Sequence, residues 1–199
     1  MSPATRVFAI LCAIVFALSA STSAAITHTS VVLFSPWSSS GLRNDFIVSE
    51  KVKGSCWTHS LASERPDAWR CMADHDIYDP CFSGSPRKGT VACAEGPFSS
   101  RITLLTVAKP LSDTMKRTGD LWGLRLRGAP WGLRLVSGDT CIFAQGATDA
   151  IGGERLNYAC AKMGWIIGVP DRSTTIWTVR SVNSPNKHVT QVGIMTAVF

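Results

Sequence analysis

The sequence predicts an all-β fold, a disulfide-stapled sandwich or barrel of short antiparallel strands with at most one short helix. Three observations carry this. Short runs rich in β-branched and aromatic residues recur between turn signals, at the roughly 8–12-residue spacing of β domains. No segment sustains a 3.6-residue apolar period with caps at both ends. Six of the seven cysteines lie beyond an N-terminal leader, an even number suited to a disulfide framework.

The leader occupies residues 1–25. Arg6 precedes the apolar run Val7–Ala20, and the small residues Ser21 to Ala25 follow. That order of basic, apolar and small-residue regions is a secretory signal peptide. The apolar run falls short of the roughly 20 residues a transmembrane helix needs. Export is therefore expected, to the extracellular space or cell envelope, with no stable membrane anchor after cleavage. Cys12 leaves with the leader, and the formal charge of +6 falls to +5 with Arg6.

Residues 26–44 read as an N-terminal strand and linker. Val31–Phe34 is a short apolar run, and Ser38-Ser-Ser-Gly41 is a loop. Residues 45–199 form one disulfide-stabilised β domain. Asp45–Val52 leads as a strand into the stretch Gly54–Cys93, which holds four cysteines and two tryptophans. Within it Ser63–Met72 is the best helix candidate, limited by Pro66 to a turn or two. Ile102–Val107 is a strand ended by Lys109-Pro110, and Ser112–Asp120 is a loop. Trp122-Gly-Leu-Arg-Leu126 then recurs as Trp131-Gly-Leu-Arg-Leu135. In an extended chain each copy puts Trp and both Leu on one face, Gly and Arg on the other. Gly138-Asp139 marks a turn before the strand Cys141–Ala144. Leu156–Lys162, Trp165–Val169, Thr174–Val182 and Val189–Phe199 follow as strands, separated by Gly- and Pro-containing turns. The apolar last residues suggest a C-terminal strand docked in the sheet.

Cys141 and Cys160 flank a glycine-rich loop, and Cys81 and Cys93 flank a turn containing Gly84, Pro86 and Gly89. Those two pairings leave Cys56 with Cys71. Zinc is disfavoured because no Cys-x-x-Cys exists. No metal and no cofactor are expected.

The chemistry-bearing residues are few. Asp74, Asp76 and Asp79 resemble a fragment of a calcium loop. The pattern fails as an EF-hand, since Tyr78 and Ser85 stand where ligands belong. An Asp-rich turn before Pro80 explains it. No Gly-x-Ser-x-Gly elbow is present, so no catalytic residue is assigned. The alternative enzyme reading is a small secreted hydrolase using His59 with Asp76 or Asp67. An inhibitor or structural envelope protein is the other alternative. Basic residues are scattered with no run longer than two, which argues against nucleic acid. Seven tryptophans raise the idea of sugar stacking. Trp37 and Trp165 lie near loops and, with His59, are the candidate ligand-binding residues; Trp57, Trp69, Trp122, Trp131 and Trp177 read as core.

Gly54-Ser-Cys-Trp57, Arg65-Pro-Asp-Ala-Trp-Arg-Cys71, Ile77-Tyr-Asp-Pro-Cys-Phe82, Val91-Ala-Cys93, Pro130-Trp-Gly-Leu-Arg-Leu135 and Trp177-Thr-Val-Arg180 resemble a family of uncharacterised secreted actinobacterial proteins. Similar modules form the extracellular parts of some bacterial Ser/Thr receptor kinases. The resemblance covers Gly54–Phe199. The extra copy at 122–126 departs from it. The resemblance implies a sensing or binding role in the cell envelope; with no catalytic motif and many tryptophans, the expectation is a non-catalytic module whose extracellular ligand is a glycan or cell-wall component. The protein is expected to be a monomer.

Overall fold

The computed structural model describes residues 26–84, 89–112, 128–162, 164–183 and 188–199. The leader and the first Trp-Gly-Leu-Arg-Leu copy lie outside the described residues. Among the described residues every regular element is a β-strand.

The first half of the domain is a closed five-stranded barrel of β4 (Ile47–His59), β5 (Ala68–Ala73), β6 (Asp76–Ser83), β7 (Thr90–Ala94) and β8 (Arg101–Val107). Successive strands pair antiparallel. Closure depends on the length of β4. Its first part, from Ile47 to Gly54, runs parallel to β8, and Ser55 to His59 pairs with β5. Gly54 stands at the handover. A Cβ there would meet the Met72 carbonyl oxygen at 2.2 Å, so glycine is what lets the two strands approach.

The second half repeats the device. β9 (Gly132–Leu135), β10 (Thr140–Phe143), β12 (Glu154–Cys160), β13 (Trp165–Asp171), β14 (Thr178–Asn183) and β15 (His188–Val198) pair antiparallel in that order. β15 then returns to β9. Its early residues pair with β14 and its late residues with β9, and Gly193 stands at the change. A Cβ on Gly193 would lie 2.9 Å from Val136 Cγ2. β11 (Ala150–Ile151) flanks β12, and β1 (Ser30–Val32) runs parallel to the end of β15. β2 (Trp37–Ser38) and β3 (Gly41–Leu42) form a small hairpin.

The helix expected within Ser63–Met72 is absent. Residues 68–73 are β5, because Cys71 must face Cys56 across the ladder and Ala68, Cys71 and Ala73 must be buried. Tertiary pairing outweighs local propensity here. The preceding loop is stitched by Ser60, whose hydroxyl oxygen accepts the Ala62 and Ser63 amides at 3.0 and 2.9 Å.

Three bridges join Cys56–Cys71, Cys81–Cys93 and Cys141–Cys160. Each links residues directly opposite in register on neighbouring strands. Such a set belongs to an oxidising compartment. Cys56, Trp69, Cys71, Ala73, Cys81, Val91, Cys93 and Leu105 come from all five strands of the first barrel and form its interior. The larger cluster joins the two halves: Phe34, Ala68, Phe82, Ala92 and Ile102 pack with Trp131, Leu133, Phe143, Tyr158 and Ile194. Phe34, Phe82 and Trp131 meet there with ring centroids 5.2–6.3 Å apart. Residues 26–44 are thus built into the fold.

The alternation expected of the second Trp-Gly-Leu-Arg-Leu copy is present. Trp131, Leu133 and Leu135 are buried, while Arg134 is half-exposed over the Phe98 ring at 4.5 Å. Gly132 packs so closely on Pro97 that a Cβ would fall 2.1 Å from its Cβ.

Candidate functional site

A buried polar cluster lies where β4, β5 and β6 meet the loop after β10. Its centre is Asp79, on β6 beside Pro80, with a side chain that has no exposure. A buried carboxylate requires partners, and Asp79 has them. The Ser60 hydroxyl donates to Oδ1, and the Leu61 amide donates to Oδ2 at 3.0 Å. Arg70 Nη1 donates to Oδ2 at 2.9 Å. Burial pushes the Asp79 carboxyl above its ordinary range, and the bonds from Ser60, Leu61 and Arg70 pull against that shift.

Gln145, from the second half, completes the cluster. Its Oε1 accepts from Arg70 Nη1 at 2.8 Å, and its Nε2 donates to the Asp79 carbonyl at 2.6 Å. One glutamine amide therefore clasps the two halves of the domain. It also fixes the Arg70 guanidinium, whose side chain keeps 17% exposure.

Beside Arg70 stands an aromatic ring. The ladder between β4 and β5 shifts register between Cys56 and Thr58, so Trp57 is the extra residue of a bulge. Bulges re-aim side chains, and the Arg70 guanidinium carbon lies 5.9 Å from the Trp57 ring centre, within cation–π range. On the opposite face of the β4–β5 ladder, where Trp69 turns into the barrel, His59 stacks on Trp69 with centroids 4.3 Å apart and planes inclined by 26°. Trp57, His59, Arg70 and Gln145 are all half-exposed. The seam thus offers one aromatic surface and a pre-positioned cation above a buried counter-charge.

The residues expected from the sequence are distributed differently. His59 lies against Trp69, on the face of the β4–β5 ladder opposite Arg70. Trp37 packs face-on against Gly84, where a Cβ would sit 2.1 Å from the indole Cγ, and its Nε1 donates to the Phe82 carbonyl at 2.8 Å. Trp165 lies half-buried against Leu156, Ile167 and Val182, on β13. Asp76 is opposite Ala73 at the tip of the β5–β6 hairpin, while His59 is opposite Trp69. Four residues of strand separate those levels, roughly 13 Å, so the two are not brought together. Asp67 is engaged by Arg65, whose Nε donates to it at 2.9 Å. Asp74 and Asp76 are exposed at the hairpin tip, and the Asp79 side chain is buried in the seam, so the three acids do not form one group.

Sequence reasoning missed Trp57, Arg70, Asp79 and Gln145 as a group. Arg70 carried a faint signal, a charge between two residues that must face inward. Gln145 carried none, since it meets Arg70 across 75 positions. Comparison with protein-family models, with curated proteins and with solved structures found no match.

Proposed function

We propose that the protein is a secreted, non-catalytic binding or sensing module of the bacterial cell envelope, and that its ligand is a glycan or cell-wall component taken at the Trp57–Arg70 seam. The observation that carries this reading is the Arg70 guanidinium, held by Asp79 and Gln145 beside an aromatic ring. An aromatic face stacks on the apolar face of a sugar, and a fixed guanidinium donates to its hydroxyls or a carboxylate. Because Asp79 already balances the Arg70 charge, the seam suits neutral or singly acidic sugars better than polyanions. The resemblance to secreted envelope modules points the same way.

A hydrolase is less well supported. The hydroxyls next to His59 in sequence are those of Thr58 and Ser60, each only 3% exposed, and that of Ser60 is bonded to Asp79, Ala62 and Ser63. A nucleophile needs access and an adjacent base.

Binding to peptidoglycan fragments and to an array of envelope glycans tests the reading. Trp57→Ala is expected to weaken binding about tenfold, the equivalent of losing one aromatic contact, with the melting temperature of the wild type otherwise kept. Wild-type protein that retains no glycan, or a Trp57→Ala variant that binds equally well, sinks it.

A further inference from the structure

β1 is an outer strand with one side open. Its bonds to β15 use alternate residues: the Val32 carbonyl accepts the Phe199 amide at 2.9 Å, and the Phe34 amide donates to the Phe199 carbonyl at 2.8 Å. In an extended chain successive residues turn their N–H and C=O groups to opposite sides. Val31 and Leu33 therefore direct theirs away from β15. Thr175 covers the edge at Thr29, where its carbonyl accepts the Thr29 amide. Beyond that point, among the described residues, no strand pairs with the open side.

This edge is also apolar and uncharged. Val31, Val32 and Leu33 are 57%, 43% and 62% exposed. From Ile26 to Leu42 there is no Asp, Glu, Lys or Arg. Soluble proteins ordinarily protect a free edge with lysine, proline or a bulge, and Pro36 comes too late to guard Val31 and Leu33. On a chain with a net positive formal charge, two copies meet with least local repulsion where the surface carries no charged side chain, and this segment is such a place.

We propose that two copies of the chain pair antiparallel through this edge, about a two-fold axis at Val32. Val31 of each copy then opposes Leu33 of the other, and each pair exchanges N–H and C=O bonds. The apolar side chains meet in the same register, with Val32 against its own symmetry mate. A strand edge is self-complementary under this operation, so a second copy satisfies every open group without requiring another protein. The pairing uses up both open edges and closes at the dimer. So short an edge buries less than the roughly 1,200 Å² of a tight complex, so association is weak and concentration-dependent. This inference is independent of what the seam binds.

Sedimentation velocity of the oxidised protein from about 1 μM to about 1 mM, the range over which weak interfaces fill, tests it, together with hydrogen exchange at Val31 and Leu33. The expected result is a shift from monomer toward dimer, with both amides gaining protection as concentration rises. Val31→Pro removes an outward N–H and leaves the Val32 and Phe34 bonds to β15 in place; it should hold the protein monomeric with an unchanged melting temperature. Leu33→Lys should do the same by charge, and it decides the matter if the proline variant does not fold. A monomer at every concentration, growth beyond the dimer, or a dimer that survives Leu33→Lys overturns the proposal.

Discussion

The β4–β8 barrel and the β9–β15 ring each close by dividing one long strand between two partners at a glycine, but they fill their interiors differently. The first barrel encloses four half-cystines with Trp69, Val91, Leu105 and Ala73. The second encloses Leu133, Leu135, Phe143, Tyr158, Ile166, Val179 and Ile194, with Cys141 among them. A barrel of only five strands leaves room for few large side chains, and a sulfur pair occupies the space of a modest aliphatic residue while linking two strands. The contrast teaches that the first barrel depends on covalent closure where the second depends on apolar burial.

That contrast can be broken in order of expected effect. Replacing Cys56, Cys71, Cys81 and Cys93 together by Ala should cost about 6 kcal/mol, near 3 for each bridge of this loop size. It should strip amide protection from β5 to β8. Replacing Cys141 and Cys160 should cost about 3 kcal/mol and leave the ring's amides protected below global unfolding. If β5 to β8 keep their protection in the four-cysteine variant, hydrogen exchange has refuted the contrast. Trp131→Ala should cost about 3–5 kcal/mol. Because its ring touches Phe34 and Phe82, both halves should lose stability in one denaturant transition. Two separated transitions would mean that the halves fold independently.

The smallest effect concerns the clasp between them. Burial raises the Asp79 carboxyl, opposed by its hydrogen bonds. A carboxyl that binds its proton more tightly folded than unfolded contributes fully below its ordinary pKa of 3.8, and that contribution is lost as pH rises through its native value. Relative to Asp79→Asn, the wild type should therefore gain stability as pH falls from about 7 toward about 4.5. Urea midpoints of the two proteins across this range check the sign; a wild type that loses ground on acidification would show that the hydrogen bonds outweigh burial.

Much of the fold was legible in the chain because β alternation is local. The second Trp-Gly-Leu-Arg-Leu copy and the C-terminal strand could be read from side-chain order alone. β5 could not, since Ala, Trp and Arg after Pro66 suit a helical turn as well as a strand, and only the partner Cys56 decides. The seam was not legible in the chain. Asp79 looked like one more acid of a turn, and its burial follows from Arg70 and Gln145, which the chain places far apart. Trp37 looked like a loop tryptophan for the same reason: Gly84, the residue it lies on, is distant in sequence.

The directly opposed bridges bear also on wear. Each encloses the loop between two neighbouring strands: residues 57–70, 82–92 and 142–159. A protease that cuts once inside any of these spans severs the chain but not the molecule, because the strands on either side remain joined through sulfur as well as through the sheet. Damage there becomes visible only on reduction. Wherever proteases reach the domain, the bridges turn single cuts inside these spans into silent ones.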